Sequence, residues 1–247
     1  LSESAEFARR CAEAGVSFVG PSVETLEIFG DKARAKALAQ EQGVPVVPGS
    51  EGAVTAGQAR EFLESLPQGT PMLIKAIAGG GGRGMRIVTS ADEIAQAHKR
   101  CQSEARRAFG SDAVYVERLI PRARHVEVQI VGDGSGAVSH IGERECSVQR
   151  RHQKLVEIAP SPSITPAVRE AVTAAAVRLA QAVNFRSLGT FEFLVDESND
   201  RDFFFIETNA RLQVEHTVTE EVSGIDLVQA QLRIAAGDTL AGLQLEQ

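Results

Sequence analysis

The sequence predicts an α+β fold with mixed or antiparallel sheets, and three observations carry that reading. Capped helical segments and short β-rich runs are intermixed without strict alternation. Several β-rich runs follow one another across Gly- or Asx-rich turns, which makes hairpins rather than βαβ units. No internal repeat or long low-complexity linker interrupts the 247 residues.

Ser4 predicts a helix cap for residues 5–14, which Gly15 ends. VSFVG then reads as a short buried strand stopped by Pro21. A short helix follows over 23–29, and Asp31 caps KARAKALAQEQ, which Gly43 ends. VPVV reads as a strand, Thr55 opens a helix to Leu66, and PQGTP is a turn. MLIKAIA is a strand, AGGGGRG a loop and MRIV a second strand. Ser90 caps a helix to about Phe109, with Glu93 at capping-box spacing. VYVERLI, HVEVQIV and AVSHIG are strands, with the GDGSG turn before the last. ERECSVQRRHQK reads as a polar stretch, followed by Pro-rich APSPSITP and a helix over 166–183. TFEFLV, the turn DESNDR and DFFFIE form a hairpin, and a last clear helix covers 226–236.

Composition narrows the function. Hydrophobic residues make up 43% and charged residues 24%, enough for a core and too much for a disordered chain. No run approaches the ~18 apolar residues of a membrane span, and the polar N-terminal segment is no secretory signal. With 26 Lys and Arg against 33 Asp and Glu, the net charge is −7, so no broad nucleic-acid footprint exists. Cys11, Cys101 and Cys146 are too scattered for a disulfide framework or zinc site. They read as free thiols in a reducing, cytoplasmic compartment. The chain lacks an initiator Met, which suggests a fragment or a processed chain.

Gly79, Gly81 and Gly84 match G-x-G-x-x-G, but a strand follows where the dinucleotide fingerprint needs a helix. A glycine loop between two antiparallel strands is a flap whose bare N–H groups can close over a triphosphate, as in protein kinases. Lys75 just upstream would set a cation on the phosphates. A plain hairpin tip would need only two or three of the five glycines in 79–84.

A turn at Asn199-Asp200 puts Glu192 opposite Glu207 in the hairpin. Facing carboxylates repel unless a hard cation such as Mg²⁺ joins them to substrate phosphates; a solvated edge or a register shift is the alternative. Beyond Glu207, Asn209, Arg211, Gln213 and Glu215 alternate with apolar or small residues, and an extended chain would place them on one face. His125, Glu127 and Gln129 share a face in HVEVQI, and QRRHQK gathers Gln149, Arg150, Arg151, His152 and Lys154 as an anion-binding or merely solvated loop.

The words FVGPS…GDK, KAIAGGGGRGM, RHVEVQI, ERECSVQRRHQK, GTFEFLV and FIETNARLQVEHTVTEE occur in order over nearly the whole chain. In them the chain resembles the biotin carboxylase component of biotin-dependent carboxylases, in the ATP-grasp superfamily. The resemblance implies an ATP-grasp fold. Residues 1–46 would be the end of an N-terminal Rossmann-like domain plus linker, 47–119 a mobile Gly-rich lid, and 120–247 the first part of the catalytic subdomain. It implies carboxylation of biotin by bicarbonate, driven by ATP with Mg²⁺ or Mn²⁺, through carboxyphosphate.

Residue by residue, the resemblance assigns Lys32, Lys75, Gly80, Gly81, Gly82, Gly84, Glu117, Ile120, His125, Gln149 and His152 to the nucleotide. It assigns Glu192, Glu207 and Asn209 to the metal. Lys154, Arg211, Gln213 and Val214 go to bicarbonate, and Glu215 becomes the general base. Implied partners are a biotinylated carrier domain and a carboxyltransferase in an oligomeric assembly, without nucleic acid or membrane. The acceptor, acyl-CoA or pyruvate, is not specified by these words. The Met residues, Met72 and Met85, make no Met-Lys-Met biotin-attachment word. Another ATP-grasp ligase of the carbamoyl-phosphate type, or a non-catalytic nucleotide-binding module, are the competing readings.

Overall fold

The structure, a computed structural model, describes residues 1–78, 84–150, 153–198 and 202–246. The chain divides into two compact units. The larger comprises Leu1–Val46, Ala123–Val148 and Lys154–Gln247; the smaller comprises Val47–Arg122 and Gln149–Gln153.

The smaller unit holds a three-stranded antiparallel sheet of β1 (Met72–Ala76), β2 (Met85–Val88) and β3 (Val114–Arg118) in the order β2-β1-β3. Its helices are α4 (Ala56–Ser65) and α5 (Ile94–Phe109). Thr55 and Gln58 form a reciprocal capping box on α4, and Ser90 and Glu93 form one ahead of α5. Ala59, Met72, Ile74, Val88, Ile94, Cys101, Val114 and Val116 make one buried cluster between helices and sheet. Gly84 closes the β1–β2 hairpin, accepting a bond from the Ala76 N–H at 2.9 Å. Its φ is +68°, and a Cβ there would press on that of Ala76 at 3.1 Å, so this position needs glycine.

The larger unit is built on β4 (Ala123–Asp133), β5 (Val138–Arg150), β6 (Gln153–Ile158), β7 (Arg186–Asp196) and β8 (Phe203–Asn209), in the order β6-β5-β4-β7-β8. The pairs β4–β5, β4–β7 and β7–β8 are antiparallel. One face is apolar. There Val126, Val128, Phe191, Phe193 and Phe205 pack with α2 (Val23–Gly30), α3 (Lys32–Glu41) and α6 (Pro166–Gln181). Phe29, Phe185 and Phe191 meet edge-on or tilted at 5.3–6.3 Å between ring centroids. Ser4, Ser22, Asp31 and Thr165 cap α1 (Ala5–Glu13), α2, α3 and α6. The C-terminal helices α7 (His216–Ser223), α8 (Leu227–Ala235) and α9 (Leu240–Leu243) follow β8, and α8 and α9 share a second apolar cluster with Val131 and Leu188. Among the described residues no helix is long and apolar enough to cross a membrane.

The structure corrects several sequence expectations. VSFVG is not a strand; Val16 and Val19 are exposed, and only Phe18 turns inward to meet Phe7. VPVV makes a single bridge, Val46 to Phe205, because Pro45 and Pro48 cannot donate to a ladder. The polar stretch ERECSVQR is strand, the second half of β5, with Glu143, Arg144 and Glu145 all buried. Its polarity hid it, since each charge finds its partner on a distant segment. The extended run ends at Asn209; Arg211 to Glu215 form a loop and Glu215 begins α7, which the sequence reading missed.

The hairpin pairs Glu192 with Glu207, as expected. The route differs. Phe193 faces Phe205, so the ladder nearer the turn is one residue out of step, and a bulge at Ile206 restores the facing of the two carboxylates. The expected turn centre at Asn199-Asp200 lies outside the described residues.

Candidate active site

Four charged residues line up across the second face of the large sheet. Arg144 of β5 lies opposite Glu127 of β4, Glu127 opposite Glu192 of β7, and Glu192 opposite Glu207 of β8. Strand alternation explains the row: the even residues Val126 and Val128 and the odd residues Phe191 and Phe193 take the apolar face, so their neighbours turn the other way.

Arg144 is fully buried and anchors this face. Its Nε donates to Glu127 Oε1 at 2.7 Å, and Nη2 lies 2.6 Å from the same oxygen. Nη1 donates to Gln129 Oε1 at 2.9 Å and Thr219 Oγ1 at 2.8 Å, and Nη2 reaches Gln213 Oε1 at 3.3 Å. The guanidinium thus ties β4, β5, α7 and the loop before α7 together.

Lys154 of β6 points at the same row. Its Nζ donates to Glu127, to Glu215 Oε1 at 2.7 Å and to Glu192 Oε1 at 3.2 Å. Burial alone would lower the Lys154 pKa, but the charges of Glu192 and Glu127 outweigh it and hold the ammonium above its ordinary value. Glu192 Oε2 accepts from His125 Nε2 at 2.6 Å, and Oε1 accepts from Asn209 Nδ2 at 2.7 Å and Gln213 Nε2 at 3.2 Å. Burial pushes the Glu192 carboxyl up, yet the bond from His125 and the neighbouring cations win and keep it below the usual range. His125 shows the reciprocal effect: burial lowers it, and Glu192 raises it more. Burial likewise raises Glu215, and the Lys154 bond more than reverses this, so Glu215 stays ionised.

Arg211 stands at the edge. Its Nε donates to Glu3 Oε2 at 2.9 Å, and Nη2 reaches Asn209 Oδ1 at 3.3 Å, so it joins the cluster through Asn209. Gln213 is buried within the cluster, while Val214 beside it is 90% exposed. Lys32 is the first residue of α3.

The smaller unit holds its own pair. Lys75 Nζ donates to Glu117 at 2.7 Å and lies 5.8 Å from the centre of the Tyr115 ring. Burial lowers the Lys75 pKa, but Glu117 and Tyr115 raise it above the ordinary lysine value. Ile120 is buried just beyond β3, and Gln149, near the end of β5, groups with this unit. Gly80, Gly81, Gly82 and His152 lie outside the described residues.

Glu192 and Glu207 share one rung and Asn209 lies two residues further along β8 on the same face, so the three offer hard oxygen donors together, with Glu192 ionised. That set fits Mg²⁺, which takes one or two carboxylates and completes its shell with phosphate oxygens and water. Among the described residues, no group of three or more His, Cys, Asp or Glu forms a cage that would hold a metal by itself. Sequence reasoning omitted Glu127 and Arg144 from the site. The signal was present in the RHVEVQI and ERECS words, but reading it required knowing that the two segments pair.

A family model described as carbamoyl-phosphate synthase L chain, ATP binding domain, matches residues 31–243. The chain belongs to this family. It is 52% identical to the pyruvate carboxylase of Bacillus subtilis over 97% of its own length, spanning 21% of that protein. A biotin carboxylase from Campylobacter jejuni, solved as a β-γ-ATP complex, superposes with a TM-score of 0.92 at 44% identity, covering 100% of this chain and 55% of that one. The biotin carboxylase domain of Hydrogenobacter thermophilus 2-oxoglutarate carboxylase, solved with MgADP, ADP and bicarbonate, superposes at 0.90 with 45% identity, covering 97% and 52%. The chain therefore spans about a fifth of the curated relative and about half of the solved chains. Its fold is the ATP-grasp, α+β fold of those biotin carboxylases.

Proposed function

We propose that the chain carries out ATP-dependent carboxylation of biotin by bicarbonate, the biotin carboxylase half-reaction of a biotin-dependent carboxylase. The observation that carries this reading is the Lys154 ammonium bonded at once to Glu127, Glu192 and Glu215, beside Gln213. Nucleotide binding alone needs no such ring. A bound anion needs a cation to hold it, and a proton on that anion needs a base beside it.

In this reading Lys154, Arg211, Gln213 and Val214 hold bicarbonate, and Arg211 exchanges its contact with Glu3 for the anion. Glu215 takes the bicarbonate proton as a bicarbonate oxygen attacks the γ-phosphorus of ATP, giving carboxyphosphate and ADP. The attack needs the ionised form of Glu215, which the Lys154 bond secures. Glu192, Glu207 and Asn209 would hold Mg²⁺ or Mn²⁺, which when bound supplies charge neutralisation for the phosphates. His125 steadies the Glu192 carboxylate in its ligand geometry. In the smaller unit Lys75 and the glycines Gly80, Gly81, Gly82 and Gly84 would bind phosphates, and Glu117 and Ile120 the base. Lys32, Gln149 and His152 would add further nucleotide contacts.

Residues 1–46 read as the end of an N-terminal domain, 47–119 as the lid and 120–247 as the beginning of the catalytic subdomain. The partners are a biotinylated carrier domain and a carboxyltransferase within an oligomer, and the free thiols of Cys11, Cys101 and Cys146 suit the cytoplasm. The test is bicarbonate-dependent ATP hydrolysis by the full-length protein. Stimulation by free biotin supports the reading. Bicarbonate dependence that biotin leaves unchanged points to a carbamoyl-phosphate-type ligase, and ATP binding without hydrolysis to a non-catalytic module.

A further inference from the structure

Glu215 stands immediately before α7, and Thr219 lies four residues on, one turn along the same face of that helix. The two side chains meet different partners on the large sheet. Glu215 Oε1 accepts from Lys154 of β6 at 2.7 Å, and the buried Thr219 Oγ1 accepts from Arg144 Nη1 of β5 at 2.8 Å. Arg144 and Lys154 both donate to Glu127. A closed ring of contacts therefore runs from Glu215 through Lys154, Glu127, Arg144 and Thr219, and back along the first turn of α7.

We propose that Thr219 is a positioning residue for the general base, its bond to Arg144 holding the first turn of α7 so that the Glu215 carboxylate stays in place while bicarbonate occupies Lys154. The inference rests on the bicarbonate chemistry proposed above.

The need for a second tether follows from counting donors. The Lys154 ammonium has three N–H groups, and it already donates to Glu127, Glu192 and Glu215. A bicarbonate on the same ammonium takes a share of them. The Glu127 and Glu192 side chains are 0% and 4% exposed and are held besides by Arg144 and His125, whereas that of Glu215 is 15% exposed. Glu215 is thus the one to give way, and its own tether weakens at the moment it must act. The Arg144–Thr219 bond does not weaken with it, because Arg144 is fully buried and carries no share of the anion. Gln213 Oε1 accepts from the same guanidinium at 3.3 Å, so Arg144 fixes a bicarbonate-site residue and the base relative to each other.

Small displacements matter here. A general base must lie within about 2.6–3.2 Å of the atom whose proton it takes, and misplacement by about 1 Å costs on the order of 10²-fold in rate. A hydroxyl suits the anchor as well. It accepts from Arg144 without adding a third carboxylate to compete with Glu127 for the guanidinium, and without placing a negative charge one turn from the base.

The experiment is Thr219→Val in the full-length protein, alone and combined with Glu215→Gln, read by bicarbonate-dependent ATP hydrolysis below the unfolding transition of every variant. Thr219→Val should lower kcat by roughly 10- to 100-fold and leave KM for ATP unchanged. Thr219→Ser, which keeps the hydroxyl, should retain most of the rate. In the Glu215→Gln background Thr219→Val should cost no further turnover, since the base it positions is already gone. Thr219→Ala serves the same comparisons without a methyl in place of the hydroxyl, should valine not be accommodated. A Val or Ala variant with the parent's kcat overturns this inference alone. An equal fold-loss with and without Glu215 also overturns it, by assigning Thr219 to the fold or to another group. A parent without bicarbonate-dependent hydrolysis overturns the functional reading and this inference with it.

Discussion

Replacing Arg144 by Met removes a guanidinium that is fully buried and leaves its main partner, Glu127, equally buried. Glu127 would keep Lys154, but it would lose both the Nε bond at 2.7 Å and the Nη2 contact at 2.6 Å. Breaking a buried pair from one side costs about 3–5 kcal/mol, because the surviving charge stays out of water. The acceptors Gln129, Gln213 and Thr219 lose donors in the same event, so their shares belong within that range rather than on top of it. At about 2–4 °C per kcal/mol for a chain of this size, the melting temperature should fall by about 6–20 °C. Adding Glu127→Gln to Arg144→Met removes the stranded charge and should recover about 1–3 kcal/mol. The assay is denaturant unfolding of the parent, both single variants and the double variant. A loss below about 1 kcal/mol in Arg144→Met, or no recovery in the double variant, would refute the anchoring role.

Glu215→Gln should retain ATP affinity while bicarbonate-dependent turnover falls by about 10²–10⁴-fold, the range for a general base, and near-normal turnover would place the base elsewhere. Glu207→Gln should raise the Mg²⁺ concentration needed for half-maximal activity by about 10-fold, as for loss of one charged metal contact, without weakening binding of metal-free ATP. The stability of Glu157→Gln relative to its parent should depend on pH with a definite sign. The Glu157 pKa is raised on folding from 4.5 to about 7, so its contribution to stability is complete below about pH 4.5 and is lost as pH rises through 7. The Gln variant has no such titration. It should therefore gain on the parent across that window by about 1–2 kcal/mol after allowance for solvent screening of a partly exposed group, measured by denaturant unfolding at several pH values. A constant difference between the two proteins would show that folding does not raise the Glu157 carboxyl.

Local chemistry in the sequence determined the caps at Ser4, Asp31, Thr55 and Thr165, the glycine hairpin after Lys75 and the β7–β8 pairing, because each depends on neighbours a few residues away. The facing of Glu192 and Glu207 was legible for the same reason, yet it stands on the bulge at Ile206, which no residue pattern announced. Had the register nearer the turn continued past Phe193 without a bulge, Glu192 would face Ile206, and the two carboxylates would lie on opposite sides of the sheet. The alternation after Glu207 suggested one continuous face, but the strand stops at Asn209. Gln213 and Glu215 reach Glu192 and Lys154 through a loop and a helix start instead. Arg144 and Glu127 show what only the tertiary structure could decide. They are separated by a long hairpin, and a buried charge is tolerable only where another segment supplies its counter-charge. The polarity of ERECS therefore pointed to solvent until the pairing of β4 with β5 placed Arg144 against Glu127.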